Sequence, residues 1–183
     1  MMTSFDERQL ISDLQAGERG AFEKLLDLYE DRVYNVVRAM IGTHDAEDVA
    51  QEALIEICNS VRSFRGRSKL NTWIYRVAVN VCLEHRRKRR VLCVPLEDDL
   101  VEAQLDTHID PAVAVIRNEV KGDVDAALEM LPEKHRDAVI LHEIQGLTYR
   151  ECAQVLNCPV GTVKSRLSNA FIKLRELLGG YCS

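Results

Sequence analysis

"RECAQVLNCPVGTVKSRL", residues 150–167, sets two cysteines six positions apart beside a proline, a glycine and basic side chains. Such a pair raises the question of a metal or redox centre. Zinc sites announce themselves by close pairs such as CxxC, and none of the six cysteines (Cys58, Cys82, Cys93, Cys152, Cys158, Cys182) belongs to one. The neighbouring residues describe a shape instead. Thr148, with Glu151 three positions later, forms a capping box ahead of a short helix carrying Cys152, Val155 and Leu156. Asn157 tolerates the left-handed conformation of a tight turn, and Pro159 suits the opening of a second helix. Capped helix, short turn and a second helix with bases in its first two turns make a helix-turn-helix. Within it Cys152 falls on the inner face and Cys158 at the turn, where a free cysteine acts as a small apolar residue.

The second helix runs to 178, with Val163, Leu167, Ala170, Phe171 and Leu174 on its inward stripe. Thr162, Lys164, Ser165, Arg166, Ser168 and Asn169 face outward and offer donors suited to base edges and phosphates. A helical hairpin without a nucleic-acid partner has the same pattern, so the motif alone leaves both open. Upstream, the spacing predicts helices at 116–130 and, opening on Pro132, at 132–143, with Gly146 as the stop.

Residues 91–115 show no sustained periodicity, contain Pro95 and Pro111, and carry six acids against Arg117 just beyond. A segment of that length is unusual inside one compact domain, which argues for an acidic linker at 91–115 between two domains, 1–90 and 116–183. In the first, apolar spacing predicts two helices over 5–40 interrupted at "AGERGA" (16–21), then a stop at Gly42. Asp45, with Asp48 three later, has the look of a helix cap. The helix that follows, "DAEDVAQEALIEICNSV" (45–61), buries Ala46, Val49, Ala50, Ala53, Leu54, Ile57 and Val61 and turns Glu47, Asp48, Gln51, Glu52 and Glu56 outward. After "RSFRGRSK" (62–69) a further helix is expected at 71–90, its buried stripe Ile74, Val77, Ala78, Val81 and Cys82, ending in five consecutive bases. With aromatics at only 5% and helix-forming residues abundant, the fold class is all-α.

The net charge of −5 conceals separate blocks. Residues 1–60 carry 13 acids and 5 bases, 61–90 carry 1 acid and 10 bases, and 161–178 carry 4 bases and 1 acid. Two basic patches separated by acidic ones suit two contacts with a polyanion, and acidic surfaces that meet something else. No apolar run is long enough for a membrane span and the first residues lack the pattern of a signal peptide, so a cytoplasmic protein is expected.

"LPEKHRDAVILHEIQGLTYRECAQVLNCPVGTVKSRLSNAFIKLR" (131–175) resembles the fourth-region domain of bacterial sigma factors of the compact extracytoplasmic-function group. Independently, "DAEDVAQEAL" (45–54) resembles that group's second-region helix, and "FRGRSKLNTWIYRVAVN" (64–80) its promoter-melting segment. The resemblance covers 22–90 and 116–178 in the group's order. It implies a non-enzymatic, cofactor-free subunit that directs core RNA polymerase to particular promoters and helps open the minus-ten region, in a stress or envelope response. Asp48, Gln51, Glu52 and Glu56 would hold the polymerase. Ser63, Arg65, Lys69, Asn71, Thr72, Trp73, Arg76 and Asn80 would meet minus-ten DNA, with Trp73 either a core residue or a stacking platform. Arg86, Arg87, Lys88, Arg89 and Arg90 would contact phosphates, and the outward residues of the last helix would read the minus-thirty-five element. Family members are commonly held inactive by an anti-sigma factor, which the resemblance implies as a partner here. A regulator using only the helix-turn-helix and a thiol-based sensor are the competing readings.

Overall fold

The computed structural model describes residues 4–93 and 119–178, so most of the expected linker lies outside the described residues. Every regular element in it is helical. Four helices come from the first half: α1 (Ser4–Ala16), α2 (Arg19–Ile41), α3 (Ala46–Ser60) and α4 (Leu70–Cys93). Four more follow: α5 (Glu119–Glu129), α6 (Glu133–Val139), α7 (Tyr149–Val155) and α8 (Val160–Leu178). The break expected at 16–21 is a sharp one. Gly17 takes φ +82°, a left-handed backbone conformation that glycine alone adopts without strain from a side chain.

Helices α2, α3 and α4 pack on one another and α1 lies across α2 and a 3₁₀ turn at Val61–Ser63. The α2 stripe Ala21, Leu25, Tyr29, Val33, Val37 and Met40 repeats every three or four residues and is buried throughout, which is the pattern that drove the helical reading. The first N–H groups of α4 lack intrahelical partners, and the Leu70 N–H is taken by Glu7 Oε1 of α1 at 2.9 Å. In the second group α8 is central, touching α5, α6 and α7.

Six expectations change. Asp45 precedes α3 but its side chain caps nothing; its carboxylate is drawn instead to His44, His85 and Arg89. Pro132 stands just before α6 rather than in its first turn, with extended ψ of 137°. Beyond α6 the chain widens into a π-helical stretch, Ile140–Ile144, which buries Ile140 and Leu141 before Gly146 (φ +68°) ends it. On α3 Leu54 is only half-buried, and on α8 Phe171 is 44% exposed rather than inward.

The remaining change concerns α4, which continues to Cys93 and buries Tyr75 and Val79 as fully as Ile74, Ala78 and Cys82, whereas Val77 and Val81 are half-buried. A single amphipathic stripe cannot account for that. Helix α4 packs on α2 and α3 along one side and on α7 of the other group along a second, so it is apolar over a wider arc than a surface helix needs. The buried apolar cluster accordingly runs without a break from the first helical group into the second.

Candidate nucleic-acid interface

The helix-turn-helix forms as its local chemistry dictates. Thr148 Oγ1 accepts the Glu151 N–H at 3.3 Å, while Glu151 Oε2 accepts the Thr148 N–H at 2.9 Å and its hydroxyl at 2.7 Å, closing the capping box. Asn157 occupies φ +47°, and the N–H groups of Thr162 and Val163 both reach back to the Pro159 carbonyl as α8 begins. Val163, Leu167 and Ala170 are buried against α6 and α7. Lys164, Ser165, Ser168 and Asn169 stand exposed in two adjacent i, i+4 rows on the opposite side. Lys164 lies 5.8 Å over the Tyr149 ring, which itself packs 4.5 Å from His142, so the base of this row is stiffened. Thr162 is half-buried and its carbonyl accepts the Ser165 hydroxyl. Arg166 is half-buried too, its guanidinium 3.8 Å from the Cys158 sulfur, and so it stands beside the turn rather than in the exposed rows.

In the first half, Asp48, Gln51, Glu52 and Glu56 are all exposed along α3. Beside them lies an open groove between α2 and α3 lined by Leu26, Gln51, Leu54, Ile55 and Cys58. Ile55, 57% exposed, was missed by the sequence reading. Its signal was available, since it falls between two acids on the helix's polar face and has no place in the apolar spacing.

The basic loop and the start of α4 are less uniform. Ser63 and Arg65 are exposed, Gly66 takes φ +66°, and Phe64 is buried with its carbonyl held by Gln15 at 2.7 Å. Trp73 packs on Phe64, ring centroids 5.4 Å apart, and is half-buried, so it serves the core on one face and leaves the other partly open. Arg76 and Asn80 are exposed. Thr72, in contrast, is buried, its hydroxyl 3.5 Å from Glu151, and the Lys69 ammonium lies 3.0 Å from the same carboxylate. Asn71 is half-buried with its Oδ1 unpartnered.

The five-base run divides in three dimensions. Arg87 and Lys88 are exposed, and each has Glu84 of its own helix as an ion-pair partner, at 3.7 and 4.0 Å. Arg89 reaches Asp45 and Arg90 reaches Glu133. Arg86 turns inward: its side chain is 10% exposed, both terminal nitrogens donate to Asp137 at 3.0 Å, and one also donates to the Met40 carbonyl. Burial raises the Asp137 carboxyl above its ordinary value, and the facing Arg86 opposes that rise.

Two independent resemblances meet on this framework. Residues 25–91 match the family described as Sigma-70 region 2, and residues 121–174 match Sigma-70, region 4. The RNA polymerase sigma-H factor of Pseudomonas aeruginosa is 35% identical, the match covering 93% of this chain and 92% of the relative. The chain belongs to the extracytoplasmic-function sigma factors. The ECF RNA polymerase sigma-E factor of Escherichia coli is 33% identical, over 93% of each chain. Among solved structures, the sigma factor RpoE of Bartonella quintana, in complex with the anti-sigma factor NepR, matches with a TM-score of 0.66 and 27% identity over 86% of this chain and 96% of that one. Helices α1–α4 and α5–α8 are therefore the two helical domains of an alternative sigma factor acting in transcription initiation.

Among the described residues of this sigma factor, no group of three or more His, Cys, Asp or Glu side chains converges. Burial pushes the Cys82 and Cys152 thiols up to about 12. The thiolate is the reactive form, so at pH 8 only about one molecule in ten thousand would present it at either site. Iodoacetamide at pH 8 is expected to leave Cys82 and Cys152 unlabelled in the native protein and to label both after denaturation. Native labelling of either, read by peptide mass spectrometry, would contradict their burial.

Proposed function

We propose that this sigma factor directs core RNA polymerase to a defined set of promoters through three surfaces. The exposed acidic row Asp48, Gln51, Glu52 and Glu56, together with the apolar groove that Ile55 borders, holds the polymerase. The basic loop and the first turns of α4, with Ser63, Arg65, Lys69, Asn71, Thr72, Trp73, Arg76 and Asn80, capture unstacked bases of the minus-ten element. Unstacking costs a few kcal/mol per base, which stacking and pockets offset. Arg87, Lys88 and the rest of the run to Arg90 add phosphate contacts that carry no sequence information. The exposed rows of α8, Lys164 with Ser168 and Ser165 with Asn169, read the minus-thirty-five element from a major groove, with Thr162 and Arg166 at the edge of that face.

The observation that carries this reading is the pairing on one chain of a stiffened, polar recognition face on α8 with a basic loop and helix in the other domain. A regulator using the helix-turn-helix alone has no use for the second. In this reading the chain works in the cytoplasm, is not an enzyme, divides at 91–115, and takes an anti-sigma factor as partner, as the Bartonella quintana relative does.

Purified chain added to core polymerase is expected to produce initiation at a limited set of start sites sharing two upstream elements. Replacing Asp48 and Glu52 together with lysine should weaken association with core at least about tenfold, since like charge then faces whatever basic surface the row meets. Absence of any start-site selection, or core binding indifferent to the double reversal, would overturn the assignment.

A further inference from the structure

Lysine is an awkward reader of bases. Its charge sits on a flexible four-carbon stem that reaches a nearby phosphate as readily as a base edge, so an unrestrained lysine adds affinity without sequence information. Lys164 is exposed on α8, in the row it shares with Ser168, yet its ammonium has a resting place. It lies 5.8 Å from the centroid of the Tyr149 ring, at the first residue of α7. That is near the outer limit of a cation–π contact, about 6 Å, so the ring biases the side chain and does not clamp it.

The ring is itself braced. The His142 imidazole packs on it, centroids 4.5 Å apart and planes 33° from each other, and Nδ1 of that imidazole lies 2.7 Å from the Leu147 carbonyl. Facing a carbonyl, Nδ1 carries the hydrogen and donates it, which fixes the imidazole. Leu147 is buried, and its own N–H donates to the Leu141 carbonyl at 3.1 Å. Support for Lys164 therefore runs from buried backbone through an imidazole and a phenol ring to the ammonium.

We propose that Tyr149, braced by His142, is a positioning residue that aims Lys164 at a base edge and so makes it a determinant of minus-thirty-five sequence preference instead of a phosphate tether. The inference rests on the reading of α8 as the minus-thirty-five surface. A side chain already restricted in the free protein loses less freedom on binding, and a restricted ammonium reaches fewer of the phosphates that compete with the base. The effect of Tyr149 passes through Lys164.

The test uses holoenzyme assembled from core polymerase and the full chain. It transcribes a library built on one promoter that the wild type uses, with the minus-thirty-five element randomised, and sequencing of the transcripts gives the base preference at each position. Lys164→Ala should erase the preference at one or two positions and leave the others. Tyr149→Leu, which removes the ring and keeps an apolar side chain, should lower the preference at those same positions about two- to fivefold, the span of an exposed cation–π contact. Tyr149→Phe, which keeps the ring, should restore it. In the double variant, Tyr149→Leu with Lys164→Ala, the loss at those positions should be no greater than with Lys164→Ala alone, because the two residues act as one unit. That comparison holds even where Tyr149→Leu also lowers stability.

Wild-type preferences in Tyr149→Leu, preferences lowered evenly at every position, or a phenylalanine variant as poor as the leucine one would each overturn the positioning role while the sigma-factor reading stands. A Lys164→Ala variant whose output falls evenly across the library would do the same, since that is the signature of a phosphate contact. A wild type with no upstream preference at all overturns the reading of α8, and the inference with it.

Discussion

Leu141→Ala is expected to lower the thermal midpoint of the sigma factor by at least about 10 °C, because it opens a cavity where the second domain has least to spare. Leu141 is completely buried in the π-helical stretch, and its carbonyl accepts the Leu147 N–H at 3.1 Å as the chain turns toward the helix-turn-helix. Truncating a buried leucine to alanine costs about 2–5 kcal/mol, the spread depending on how far the surroundings collapse. A unit the size of α5–α8 would be stable by only about 3–9 kcal/mol on the usual scale per residue, so the loss approaches the whole. For domains this small each kcal/mol moves the midpoint by about 4–8 °C. The control is Leu83→Ala, at a position 41% exposed on α4, which should change stability by no more than about 0.5 kcal/mol. Circular dichroism melts of the two variants decide it, and equal shifts would refute the core position of Leu141.

Glu151 should make the sigma factor sensitive to acid. Burial disfavours its charge, but the hydrogen bonds from the Thr148 N–H and hydroxyl and the Lys69 ammonium outweigh that and hold the carboxyl at about 2, down from 4.5. A carboxyl depressed in the folded state contributes stability that is fully present above its unfolded value, and is lost as pH falls toward the folded one. The window is therefore pH 4.5 down to about 2, with about 1–3 kcal/mol at stake, since one unit corresponds to 1.36 kcal/mol and the side chain is not wholly enclosed. Glu151→Gln keeps the shape and one acceptor but cannot ionise. Urea denaturation at pH 7 and pH 3 should show wild type losing more between the two than the variant does, by about that amount. Because other carboxylates titrate alike in both proteins, the difference isolates Glu151, and parallel losses would mean the capping box carries no ionic component.

Much of this could be read from the residues in order. The capping box at Thr148 and Glu151, the left-handed Asn157 and the α2 stripe are each set by neighbours within one or two turns, and they form as expected. The exposure of Asp48, Gln51, Glu52 and Glu56 follows from the same periodicity. Failures share a different cause. Asp45 has the chemistry of a cap, yet His85 and Arg89, some forty residues away, claim its carboxylate. Arg86 belongs to a run of five bases that reads as one patch, and only the approach of α6 distinguishes it from Arg87 and Lys88. Phe171 fits the inward stripe of α8 by spacing, yet the packing leaves it 44% exposed.

By itself, then, the sequence determined that the chain is helical, where its turns fall, that it carries a helix-turn-helix, and that its charge is partitioned into blocks suited to a polyanion and a second partner. These are properties of periods of 3.6 residues, of caps and of local composition, which depend on near neighbours alone. Only the tertiary structure decided that α4 has two buried faces, that Glu151 caps one domain while gripping the other, and that Arg86 and Asp137 bury their charges against each other. Those outcomes depend on which surfaces meet across a gap of many residues, and the side chains concerned are as suitable for solvent or DNA as for one another until the packing brings them together.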